Sequence, residues 1–115
     1  MQVKTYNGYR EFMFLKNNAA FLPNGRRIDM IDYGEHCDRG VVMAFQGDDD
    51  AMPYVTWEFY RGDLASTSYG HYFKTKGEAI ADYLKRLDDM RQDDYLESRR
   101  MEEDAQASHL RLVGE

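Results

Sequence analysis

YVTWEFYRGDLASTSYGHYFKTKGEAIADYLKRLDDM, residues 54–90, is the stretch on which the fold turns. It opens with strict alternation. Val55, Trp57 and Phe59 fall on one side and Tyr54, Thr56, Glu58 and Tyr60 on the other, the period of a strand. Arg61-Gly62-Asp63 opens a loop, and residues 67–73 return as the hairpin partner, with Tyr69, His71 and Phe73 on one face and Tyr72 opposite. Thr75-Lys76-Gly77-Glu78 is a capping box: the Thr75 hydroxyl accepts from an amide of the first turn, and Glu78 reaches back to the Thr75 amide. The period then becomes helical, with Ile80, Tyr83, Leu84, Leu87 and Met90 recurring at spacings of three and four. One long apolar strand face and one apolar helix stripe predict that Val55, Trp57 and Phe59 pack against Ile80, Leu84 and Leu87.

Working outward, residues 9–15 (YREFMFL) read as an aromatic-rich strand that ends at Asn17-Asn18. Residues 19–22 form a short apolar run stopped by Pro23-Asn24-Gly25, a turn that reverses the chain into residues 27–33. There Ile28 and Met30 are expected to share a face while Asp29 and Asp32 stay in water. Glu35-His36-Cys37-Asp38 is a polar connection. Residues 40–46 (GVVMAFQ) set Val41, Met43 and Phe45 against Val42 and Ala44, and Gly47-Asp48-Asp49-Asp50 is a loop. Short connections favour hairpins, and no βαβ spacing demands a parallel sheet. The expected fold is α+β: an antiparallel meander of about five to six strands with one long C-terminal helix.

Past Met90 the stripe thins, and residues 88–104 carry eight acids against three arginines. The expected organisation is a single domain over residues 1–90, followed by a charged helical extension and tail over residues 91–115. Residues 109–113 (HLRLV) read as a short docking segment or a frayed end.

Composition narrows the classes. With 43% hydrophobic residues among 115, there is material for one core, so wholesale disorder is excluded. The single Cys37 excludes a disulfide scaffold. The net charge of −6 argues against an electrostatic nucleic-acid binder, and residues 1–75 hold ten acids against eight dispersed bases. No long apolar run and no basic-then-apolar leader is visible, so a cytoplasmic protein without a membrane partner is expected.

A search for chemistry returns little. His36, His71 and His109 lie far apart and Cys37 stands alone, so no metal-ligand spacing is met. Counting an EF-hand from Asp48 puts Pro53 and Phe59 where Gly and Glu are required. Ser66, Ser68 and Cys37 could serve as nucleophiles with His71 or His36 as base, but no nucleophile elbow or thiol-hydrolase neighbourhood surrounds them. There is no phosphate-binding glycine pattern. No catalytic residue, metal or cofactor is therefore assigned.

Tyr54-Val55-Thr56-Trp57, Gly70-His71-Tyr72-Phe73, Ala79 and Asp82-Tyr83 together resemble the V-T-W … G-H-Y-F hairpin-plus-helix signature of small uncharacterised accessory proteins carried by phages and other mobile elements. The match covers residues 54 to about 86 and brings no catalytic residues. It implies an accessory role of the anti-CRISPR or other anti-defence type, acting in the host cytosol.

The acid-rich helix carries the functional expectation. Carboxylates at helical pitch can imitate phosphate spacing and occupy a basic groove of a host protein that handles nucleic acid. Asp88, Asp89, Asp93, Asp94, Tyr95, Glu97, Glu102 and Glu103 form the expected partner-binding set, with the protein acting by occlusion and not as an enzyme. Two other readings stand beside it: a small nucleic-acid- or nucleotide-binding module using the aromatic hairpin face, and a small hydrolase built on His71. A third use of the same helix is plain solubility, through ion pairs such as Glu97 with Arg100.

Overall fold

Pro23-Asn24-Gly25 reverses the chain as its composition predicts. Gly25 adopts φ +87°, its amide donates to the Leu22 carbonyl at 2.8 Å, and Asn24 Oδ1 accepts from the Arg26 amide at 3.0 Å. The computed structural model describes residues 21–113. Beyond the turn run β1 (Arg27–Tyr33), β2 (Arg39–Phe45), β3 (Tyr54–Tyr60) and β4 (Asp63–Phe73), then helix α1 (Lys76–Val113). The strands form one antiparallel sheet in the order β1-β2-β3-β4, a meander with the helix after it. The fold is α+β, with four strands among the described residues where five or six were expected. The strand expected at residues 9–15 lies outside the described residues, as do residues 19–20. Phe21 makes an isolated bridge to Arg27 and no longer strand.

The sheet is apolar on both faces. On the helix side Met30, Val41 and Met43 meet Ala79, Tyr83, Leu87 and Met90, flanked by Tyr54, Phe73 and Ile80. On the other side Ile28, Ile31, Val42, Ala44, Val55, Trp57 and Phe59 form a second buried layer. The expected contact of Val55, Trp57 and Phe59 with the helix is therefore wrong: these three face away from it. Leu84 is also misplaced, standing 48% exposed. The physical reason is that alternation identifies two faces of a strand without saying which one a helix covers. The helix side facing the sheet mixes apolar residues with Asp82 and Arg86, and it is the Thr56–Glu58 face of β3 that can hydrogen-bond to them.

Two irregularities also escape the alternating pattern. A bulge between Ile28 and Met30 sends these residues to opposite faces, and ordinary alternation from Met30 puts Asp32 on the helix side with it. Asp32 is fully buried, not in water, and its Oδ2 accepts from the Tyr83 hydroxyl at 2.6 Å. A second register shift, between Thr56 and Glu58, leaves Tyr69 at φ +55° with its side chain in solvent. The β3–β4 hairpin is also tighter than expected: Tyr60 pairs with Asp63 across Arg61-Gly62, so β4 starts four residues before Thr67.

Helix α1 has 38 residues, about 57 Å at 1.5 Å per residue. Its start is capped as the sequence implies, with the Glu78 amide donating to Thr75 Oγ1 at 3.2 Å. The Glu78 carboxylate accepts from the Thr75 hydroxyl and not from the Thr75 amide. Residues 109–113 continue the helix. No helix among the described residues is long and apolar enough to cross a membrane.

Candidate functional site

The densest polar arrangement is a seam where helix α1 crosses β3 and β4. Asp82 Oδ2 accepts from Thr56 Oγ1 at 2.6 Å, from Arg86 Nε at 3.1 Å and from His71 Nδ1 at 3.0 Å. An ionised carboxylate can only accept, so Nδ1 carries the imidazole proton. Burial alone would raise the Asp82 pKa, but the hydrogen bonds from Thr56, His71 and Arg86 outweigh it and hold the carboxyl below its ordinary range. Arg86 is 8% exposed and fully engaged: besides Asp82, it donates to Glu58 Oε2 at 2.9 Å and to the Tyr69 carbonyl. Arg39 extends the chain of charges, 3.6 Å from Glu58 and 2.8 Å from Asp93. Opposite charges alternate along it, with Arg39 Nε the one buried donor among the described residues of the seam that lacks a hydrogen bond. The seam fastens helix to sheet.

His71 therefore has a positioned imidazole beside a carboxylate, as a general base would need, but no nucleophile stands with it. Ser66, weighed for that role, closes the hairpin: its hydroxyl donates to the Asp63 carbonyl and accepts from the Tyr60 amide, both at 2.7 Å. Ser68 lies opposite Glu58 in the ladder. Burial, aided by the Asp94 carboxylate, pushes the Cys37 thiol up, away from the reactive thiolate. Among the described residues no three His, Cys, Asp or Glu side chains gather as a metal site.

The acidic residues of the helix divide into two groups. Asp93 reaches back to Arg39, and Asp94 Oδ1 accepts from the backbone amides of His36 at 2.6 Å and Cys37 at 2.9 Å. These two serve the fold. Asp88, Asp89, Tyr95, Glu102 and Glu103 point into solvent. Asp88, Tyr95 and Glu102 stand seven residues apart, and therefore on one helix face. Glu97 pairs with Arg100, Arg100 with Asp104 at 3.4 Å, and Arg99 with Glu103 at 4.0 Å, while Arg99 also reaches the Tyr95 hydroxyl at 3.4 Å. From Tyr95 onward no hydrogen bond or ion pair among the described residues ties a side chain to the sheet. Here the helix is an arm that exposes Tyr95 (59%), Leu96 (63%) and Met101 (50%).

The aromatic residues of the β3–β4 hairpin do not share a platform. Tyr72 meets Trp57 edge-on at 6.5 Å on the face away from the helix, Phe73 packs under the helix, and Tyr54 tilts against Phe45. Tyr69 stands alone on its bulge. Sequence reasoning missed the seam because its members lie on different elements, with directly paired ones such as Arg39 and Asp93 far apart in the chain. The one available signal was polar Thr56 and Glu58 alternating with apolar neighbours on the face opposite Val55, Trp57 and Phe59. Comparison with protein-family models, with curated proteins and with solved structures gives no match.

Proposed function

We propose that this protein acts by binding another protein, with the C-terminal arm of helix α1 as the docking element. The observation that carries the reading is the exposure of Tyr95, Leu96 and Met101 among carboxylates on a helix that has left its own sheet. Such an arm buries little of itself, and isolated helices draw little stability from propensity and surface ion pairs. Large apolar side chains set in a charged helix are the anchors and rim that an interface uses. The rim is acidic, so the matching surface is basic: the nucleic-acid-binding groove of a host complex fits, with the carboxylates standing in for phosphates. Occlusion of a defence complex of a host cell is the biological form of this reading, in line with the resemblance carried by residues 54–86.

A photo-reactive residue in place of Leu96 gives the test. The partner it captures, once purified, should bind the wild-type chain in competition with nucleic acid and lose affinity as salt rises. A partner that binds equally well with nucleic acid bound, or a chain lacking residues 98–115 that still binds, would overturn the reading.

A further inference from the structure

The geometry points to the β1–β2 loop as an oxyanion-binding nest in which Asp94 is a built-in ligand that a small external oxyanion can replace. This rests on the loop and not on the partner of the helical arm. Successive amides of His36 and Cys37 converge on one carboxylate oxygen, at 2.6 and 2.9 Å. Consecutive N–H groups turned inward in this way form the concavity that binds phosphate and carboxylate groups in many proteins. The loop is braced for the task. Arg61 donates to the carbonyls of Gly34 at 3.0 Å and Glu35 at 2.6 Å, which turns those oxygens away and leaves the amides facing the anion. Its own amide is tied to the Asp38 carbonyl at 2.8 Å. Position 34 must be glycine for the anion to come this close, since a Cβ there would stand 2.8 Å from Asp94 Oδ1 and 2.3 Å from Cys37 Sγ. Burial opposes ionisation of Asp94, yet the amides of His36, Cys37 and Glu35 overcome it and hold the carboxyl below the ordinary aspartate range. Of the charged groups nearby, Arg39 and Arg61 supply two positive charges against three negative from Glu35, Asp38 and Asp93, so it is the converging amides and not net charge that hold the anion. The shared ligand chemistry is a small oxyanion, either a phosphate or a carboxylate. Its entry would free Asp94 at the point where the helix leaves the sheet.

Asp94→Ala empties the nest, and Asp94→Asn keeps it filled by a neutral group of the same shape. Each full-length variant is melted in sodium phosphate, in sodium acetate and in sodium chloride at matched ionic strength, with amide spectra recorded alongside. Phosphate should raise the melting temperature of Asp94→Ala by about 4 °C or more over chloride. It should also move the His36 and Cys37 amide resonances, while Asp94→Asn responds much less and the wild type shifts the same two amides only at higher phosphate, as displacement of Asp94 requires. A matching response to acetate but not phosphate would identify the nest as a carboxylate site and still support exchange. Equal melting in all three salts with unmoved His36 and Cys37 amides would overturn the proposal, leaving Asp94 as a plain loop cap. An Asp94→Ala chain that is unfolded in chloride but folds in phosphate supports it, and one unfolded in every salt overturns it.

Discussion

The two halves of helix α1 have nearly the same charged composition and opposite uses for it. Over residues 76–94 four charged side chains work inward: Asp82 and Arg86 join β3 and β4, Asp93 joins β2, and Asp94 joins the β1–β2 loop. Over residues 95–107 the charged side chains work along the helix, pairing at three- and four-residue spacing with one another. Asp82, Asp93 and Asp94 of the first half are part of the fold, whereas Asp88 and Asp89 and the carboxylates of the second half are part of the surface. Counting acids cannot separate the two, because the difference lies in what the helix crosses.

Arginine substitutions should show the contrast at its largest. Arg86→Ala strands Asp82 and Glu58 in a partly buried seam and strips the Tyr69 carbonyl of its donor. The expected loss is about 3 kcal/mol, since removing one member of a buried charge network leaves the others uncompensated. Arg99→Ala and Arg100→Ala break only solvent-exposed pairs and should leave the denaturation curve unmoved. Equal effects for Arg86 and Arg100 by urea titration would dissolve the distinction between the halves.

The tyrosines give a smaller effect of the same kind. Tyr83→Phe removes the hydroxyl that donates to buried Asp32 at 2.6 Å, at an expected cost of about 1–3 kcal/mol. Tyr95→Phe removes a hydroxyl that only meets Arg99 in solvent, and its melting curve should overlay that of the wild type.

Acid sharpens the comparison further. Asp82 and Asp94 hold their protons less tightly in the folded chain than in the unfolded one. The unfolded chain therefore takes up protons first as the pH falls, and stability declines with it. Their contribution is complete above about pH 5 and fades as the pH drops through and below the ordinary aspartate value of about 3.9. Asp82→Asn should be less stable at neutral pH and should show a shallower decline in stability between about pH 5 and pH 2. A slope as steep as that of the wild type would mean that Asp82 is not held ionised by the seam.

How much of this was legible follows from the distance over which each feature is encoded. The Pro23-Asn24-Gly25 turn, the Thr75 cap, the β3 alternation and the Ala79-to-Met90 helix are local, and they stand in the structure where the residues put them. Asp32 was misread because its charge was taken to mean water, although it alternates with Met30 onto the helix side, where the Tyr83 hydroxyl from a distant element meets it. Trp57 was placed under the helix because alternation is symmetric between two buried faces, and only the partners of Thr56 and Glu58 break that symmetry. Asp94 offered no sign at all: its ligands are amides 57 and 58 residues away, and an amide belongs to any residue type except proline.

The smallest expected effect on stability is the one that isolates the arm. Reversing Asp93, Asp94 and Glu97 together would confuse two questions, because Asp93 and Asp94 hold the helix to Arg39 and to the β1–β2 loop. Asp88, Glu102 and Glu103 have no such duty, and their replacement by Lys should leave the melting temperature within about 2 °C of the wild type. If the arm docks on a basic surface, this triple variant should lose binding to the captured partner while remaining folded. Association of the wild type should slow steeply with salt, since charges farther apart than about 8 Å are screened at physiological ionic strength. Tyr95→Ala and Met101→Ala should then weaken the complex without changing its salt dependence, because they remove anchors and not steering. If instead the triple variant binds as the wild type does, the carboxylates serve solubility alone and the docking role falls to some other surface. The two outcomes differ in binding and agree in stability, which is what a helix half that supports no fold of its own must show.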